Sequence, residues 1–188
     1  KSIDMIPLSN NTLLVARINA STTNTSESTL SFSTIFTNGT VKQGPFLIDT
    51  SLATNTGAAA VAVGAINSTH IYLGWMDAHL QDSLRGIRDM NGTQLLGTTA
   101  TETSSIQFYD VCMAPIGNRT LTGWVDSGEG DFDAAAANNN ATTALMVAET
   151  AIDGTMAPTT NNTNTADCMA LNSTAAAFAW VNYTGTDN

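Results

Sequence analysis

The sequence predicts an all-β fold made of repeated antiparallel four-stranded units, about three and a half of them in 188 residues. Three observations predict it. A strand-like apolar stretch ends four times at a common anchor: Arg17-Ile18-Asn19, Trp75-Met76-Asp77, Trp124-Val125-Asp126 and Trp180-Val181-Asn182. Residues upstream keep register with that anchor in every copy. Thr, Val, Ile and aromatic residues, which suit a pleated half-buried surface, fill the stretches between turn signals.

Twelve residues before the anchors stand Met5, Val63, Cys112 and Cys168, and nine before stand Leu8, Ile66, Pro115 and Leu171. A small residue immediately precedes each anchor: Ala16, Gly74, Gly123 and Ala179. The anchor spacings are 58, 49 and 56 residues. Downstream, Asn38-Gly39-Thr40, Asn91-Gly92-Thr93 and Asn140-Ala141-Thr142 mark a second turn. Asn-Gly between β-rich runs is a strong hairpin signal, since both residues tolerate positive φ.

The first unit, 1–52, reads as strands over 2–8, 13–19, 29–37 and 41–50. The second, 53–104, gives 59–66, 70–77, 83–90 and 94–101. The third, 105–160, gives 106–115, 120–126, 132–137 and 143–152; the Ala run 134–137 is ambiguous between strand and helix. The fourth, 161–188, supplies 167–171 and 175–183 and is incomplete, within one repeat domain over 1–188. The anchor strand of the second unit is mostly apolar on both faces: Ile71, Leu73 and Trp75 alternate with Tyr72, Gly74 and Met76. Such a strand belongs in a sheet covered on both sides. The small residue before each anchor is expected to admit a large side chain from the neighbouring unit.

Two copies carry a fuller signature, Ile66-Asn67-Ser68-Thr69 to Trp75-Met76-Asp77 and Leu171-Asn172-Ser173-Thr174 to Trp180-Val181-Asn182. The chain thereby resembles β-propeller-like extracellular repeats. The resemblance implies propeller-like blades packed face to face; a β-sandwich of the same hairpins is the alternative. Near a propeller axis, matching first strands of neighbouring blades lie close together. Cys112 and Cys168 are therefore expected to form a disulfide.

Charged residues are only 12% of the chain, and 6 Lys+Arg against 16 Asp+Glu give a formal charge of −10. That balance argues against nucleic acid as a partner. No apolar run is long enough to predict a membrane span. The polar share comes from 30 Thr, 14 Ser and 18 Asn. Eleven Asn-x-Ser/Thr sequons start at Asn10, Asn19, Asn24, Asn38, Asn67, Asn91, Asn118, Asn140, Asn161, Asn172 and Asn182, where chance gives about four. The excess predicts N-glycosylation and an extracellular, secreted or cell-surface location. A first residue of Lys1 fits removal of a targeting segment, or a piece of something longer.

Signals for chemistry are sparse. His70 and His79 have no metal-ligand spacing and no paired nucleophile. Asp126, Glu129, Asp131 and Asp133 form an acidic run that does not match a calcium loop, and Asp77 and Asp82 flank the corresponding turn; solvated turns are expected there. Trp75, Trp124 and Trp180 share one repeat position, which predicts core residues rather than sugar-stacking platforms. No Gly-rich phosphate loop or Ser/His/Asp set is evident, so no cofactor, no metal and no enzyme activity is expected. The expected role is a structural subunit of a heavily N-glycosylated extracellular filament, sheath or surface layer. Copies would associate head-to-tail through the incomplete fourth unit, with the sequon-free turns 78–81 and 127–130 as a second surface. The alternatives are a surface lectin or adhesin and a propeller-type hydrolase.

Overall fold

The computed structural model describes residues 3–8, 11–20, 27–53, 60–77, 82–102, 108–126, 131–140, 145–153 and 165–181. All regular elements among them are strands. They are β1 Ile3–Leu8, β2 Thr12–Ala20, β3 Glu27–Phe36, β4 Val41–Ala53, β5 Val61–Ala65, β6 His70–Asp77 and β7 Asp82–Asp89. Then follow β8 Gln94–Glu102, β9 Phe108–Ile116, β10 Arg119–Asp126, β11 Asp131–Asn138, β12 Leu145–Asp153, β13 Ala166–Ala170 and β14 Ala176–Trp180. The Ala run lies inside β11. Ala134 to Ala137 are buried there between β10 and β12, where small side chains let neighbouring sheets approach.

Each predicted set of strands forms its own antiparallel sheet, paired in chain order: sheet I is β1-β2-β3-β4, sheet II β5-β6-β7-β8, sheet III β9-β10-β11-β12 and sheet IV β13-β14. The inner strands pair in near-continuous register, with one shift between Val125 and Asp126. The pairs β3–β4, β7–β8 and β11–β12 each break register at several points. Bulges there twist the outermost strand, which discourages pairing along that edge with another chain.

The Asn-Gly turns lie where the sequence puts them, with a different geometry. Gly39 and Gly92 have φ of 86° and 88°, while Asn11 is the one non-glycine residue with positive φ among the described residues. The Gly39 N–H donates to the Phe36 carbonyl (2.8 Å) and the Gly92 N–H to that of Asp89 (3.1 Å). These are three-residue hairpins in which glycine alone takes the left-handed conformation, so Asn38 and Asn91 serve a different purpose.

The first strands run side by side, β1 beside β5, β5 beside β9 and β9 beside β13. The core is accordingly divided into three slabs. Leu14, Ala16, Leu30 and Phe32 of sheet I meet Val61, Val63, Ile71, Leu73, Trp75 and Leu84 of sheet II. Ala62, Tyr72, Met76 and Ile87 of sheet II meet Val111, Met113, Trp124 and Ala135 of sheet III. Cys112, Val125 and Phe132 of sheet III meet Ala166, Cys168, Phe178 and Trp180 of sheet IV. In sheets II and III the two apolar faces of the anchor strand are thus both used, one toward each neighbour. Every anchor Trp points back toward the preceding sheet; the opposite face of each sheet points forward.

Candidate functional site

Antiparallel meanders put their first and third turns at one end. Asn67, Asn118 and Asn172 occupy first turns, and Asn38, Asn91 and Asn140 lie in or at the start of third turns. All six are exposed, as is Asn19 at the far end of β2. Asn10, Asn24, Asn161 and Asn182 lie outside the described residues. Contacts between neighbouring turns show that the ends coincide. The Gln43 amide donates to Asn91 Oδ1 (2.9 Å), and Gly117 packs against the Ser173 carbonyl.

At this end the sequon residues hold their own turns. Asn38 Oδ1 accepts from the Thr40 N–H (3.0 Å) and Thr40 Oγ1 (2.7 Å). Asn67 Oδ1 accepts from the N–H groups of Thr69 (2.8 Å) and His70 (2.9 Å) and from Thr69 Oγ1 (2.9 Å). Asn172 repeats this with Thr174 and Ala175. The carbonyl oxygen of the amide builds the turn, so its nitrogen, the atom that carries an N-glycan, is not what holds the fold there. In the Asn91 turn the carboxylate of Asp89 takes over, accepting from the N–H groups of Asn91 and Thr93 (both 2.8 Å). Partial desolvation raises the Asp89 pKa, but these hydrogen bonds outweigh it and hold the carboxyl below its ordinary value.

A second set of contacts joins the sheets. Asp4 Oδ1 accepts from the Met5 N–H (3.0 Å), and its Oδ2 crosses to the Val63 N–H of sheet II (2.9 Å). Asp110 does the same with Val111 and with Ala166 of sheet IV (both 3.0 Å). These amides lie on the free side of the first strand, where no ladder partner can take them, and the carboxylates satisfy two at once. The anchor strands interlock as expected. A Cβ added at Gly74 would lie 2.6 Å from Met113 Cε of sheet III. One added at Gly123 would lie 2.6 Å from Phe132 Cζ and 2.9 Å from Phe178 Cε1 of sheet IV. Trp75 and Trp124 are fully buried, and the Trp180 ring stacks on Phe132 at 4.9 Å with 5° between planes. None of the three is an exposed sugar-stacking platform.

Among the described residues the outer faces of sheets I and IV are open. The rear face of sheet I shows Ile3, Met5 and Arg17, with Arg17 where the other copies have Trp. The forward face of sheet IV shows Asp167, Met169, Ala179 and Val181, with half-buried Ala177 between them. Met5 is 54% exposed and Met169 62%, so these faces do not close on each other among the described residues. The propeller-like ring that the resemblance implies is not closed among the described residues.

The expected disulfide is not formed: Cys112 and Cys168 are free thiols. Both enter the slab between sheets III and IV, but they are not equivalent. The β9–β10 turn has two residues and the β13–β14 turn five, so Cys112 pairs with Gly123 while Cys168 pairs with Phe178, one ladder position apart. Equal counting from the Trp conceals this offset. His70 lies at the sequon end with its Nδ1 3.1 Å from Asn67 Nδ2; His79, Glu129 and the turns 78–81 and 127–130 lie outside the described residues. Asp77 and Asp133 are buried rather than part of solvated turns. No group of His, Cys, Asp and Glu able to hold a metal ion occurs among the described residues. A groove of about 390 Å³ between sheets I and II at the sequon end is lined by Lys42, Gln43, Asn67 and Met90 among others, with no aromatic ring to stack a sugar.

The sequence missed Asp4 and Asp110, which stand at different offsets from their anchors. It also missed Arg85, a fully buried cation whose Nη1 donates to the Tyr72 hydroxyl (2.9 Å). Burial raises the Tyr72 pKa above its ordinary value, and the Arg85 charge and hydrogen bond pull it partly back. No protein-family profile matches the chain, and no curated protein matches it.

Proposed function

We propose that the chain is a structural subunit of a heavily N-glycosylated extracellular filament, sheath or surface layer, with propeller-like blades joined head-to-tail through the fourth unit. The observation that carries this reading is segregation. Six exposed sequon Asn crowd one end of the sheets, while the two apolar open faces lie at the two ends of the array. Glycans at the turns would keep that end solvated and leave the open faces able to meet. Sheet IV has two strands among the described residues, and a two-stranded sheet is marginal in water, so covering its second face would stabilise it. A lectin or hydrolase reading has less support, because the anchor Trp rings are used in packing and the sequon-end groove lacks aromatics.

The test is expression of the chain in a secretory host, with intact-glycopeptide mapping and ultracentrifugal pelleting. The reading predicts glycan at most of Asn38, Asn67, Asn91, Asn118, Asn140 and Asn172, together with sedimentable polymers. Unmodified turns, or a monomer at every concentration, would overturn it.

A further inference from the structure

The interface between sheets II and III sets a pattern, and the two open faces fit it. In each hairpin the anchor pairs with a first-strand residue: Arg17 with Ile3, Trp75 with Val61, Trp124 with Val111 and Trp180 with Ala166. Two residues further along stand Met5, Val63, Met113 and Cys168. Met113 seats over Gly74, the small residue preceding the anchor of the sheet before it. Met5 is the counterpart of Met113 on sheet I and is exposed; Ala179 is the counterpart of Gly74 on sheet IV and is exposed too.

We infer that the forward face of β13–β14 receives the rear face of β1–β2 from a second copy of this chain, with Met5 seated over Ala179. The inference rests on the filament reading above and names its contact. A shallow groove of about 190 Å³ on sheet IV, lined by Asp167, Met169, Ala177 and Ala179 with Cys168 and Phe178, is the place for that methionine. Asp167 holds the ladder position of Asp4, whose carboxylate inside the chain reaches the amide of Val63, the counterpart of Met5. Charge agrees. Asp167 is the one charged residue among the described residues of its face, and Arg17 on the incoming face is one of only 6 basic residues in the chain. At a net charge of −10 copies repel one another in general, so a face carrying a cation opposite a carboxylate selects this pairing over like-with-like contacts. The contact joins two different faces and is heterologous, so it propagates.

One sequon bears on the contact. Asn19 lies on the same face as Arg17, and its counterpart on sheet II, Asp77, is buried. A glycan at Asn19 cannot fit in the contact, so assembled copies carry Asn19 unmodified.

The experiment uses two full-length variants, Met5→Glu and Ala179→Glu, at a concentration where more than half of the parent chain is polymeric. Each variant keeps one of the two faces. Sedimentation velocity is expected to show each alone as a monomer. An equimolar mixture is expected to form a dimer and nothing larger, which also proves that both variants are folded. Polymers persisting in either variant, or a mixture without dimer, overturns the contact while leaving the filament reading in place. A parent chain that is monomeric throughout removes both. Asn19 found glycosylated in pelleted polymer also overturns the contact.

Discussion

Replacing Gly123 by Ala tests how the sheets interlock. In an unhindered strand Gly→Ala stabilises by about 0.4–1 kcal/mol, because the unfolded chain loses freedom. Here the new methyl would stand 2.6 Å from Phe132 Cζ and 2.9 Å from Phe178 Cε1. Neither ring yields easily. Phe132 is fully buried, stacked on Trp180 at 4.9 Å and edge-on to Phe178 at 5.7 Å, so moving one displaces all three. Overpacking of this kind costs about 1–3 kcal/mol and outweighs the entropic gain. With that gain subtracted the net cost is about 1–2 kcal/mol, and at about 2–4 °C per kcal/mol for a chain of this size the expected loss is about 2–8 °C in Tm. Gly74→Ala is the control. Its methyl meets the end of the flexible Met113 side chain, which can swing aside, so the loss is smaller. Urea denaturation followed by Trp fluorescence measures both, and Gly123→Ala combined with Phe178→Leu should recover part of the loss. A Gly123→Ala protein as stable as the parent, or less affected than Gly74→Ala, would refute the interlock.

Asp110→Ala should cost about 2–4 kcal/mol, because two amides, of Val111 and Ala166, lose a charged acceptor at a buried site; Asp110→Asn should recover part of it in the same urea titration. Stability should fall as pH rises past 10: Tyr72 keeps its proton in the folded chain after the unfolded chain has lost it, so the unfolded state is favoured above the ordinary phenol pKa. Urea midpoints between pH 8 and 11 should drop more steeply for the parent than for Tyr72→Phe. Acid should act at the Asp89 turn: its lowered pKa contributes stability above the ordinary carboxylate value, lost as pH falls through the folded value. Amide exchange of Asn91 and Thr93 should therefore quicken selectively at low pH, and unchanged protection would count against the Asp89 cap.

The architecture was legible because two physical signals repeat. Apolar residues on both faces of 71–76 require a sheet covered on both sides, and β6 is buried from Ile71 to Asp77. Asn-Gly at 38–39 and 91–92 located the third turns because only glycine takes the left-handed position cheaply there. The small residues at Gly74 and Gly123 foretold the knobs that fill them. What stayed hidden depends on turn length and register. A two-residue turn after β9 shifts Cys112 by one ladder position relative to Cys168, which defeats counting along the chain. The bridging roles of Asp4 and Asp110 depend on which amides face away from the ladder, a property of pairing phase rather than of residue type. The burial of Arg85 is equally unreadable locally, since its partner Tyr72 sits on the adjacent strand.

Electron cryomicroscopy of the glycosylated chain, at concentrations where it sediments as a polymer, would show the contact between copies itself. Helical polymers whose repeating unit is one chain are expected. Sheet IV of each copy would lie against sheet I of the next, Met5 over Ala179, with the turns bearing Asn38, Asn67, Asn91, Asn118, Asn140 and Asn172 facing solvent. Particles that remain single chains, or pairs related by a two-fold axis through like faces, would contradict it.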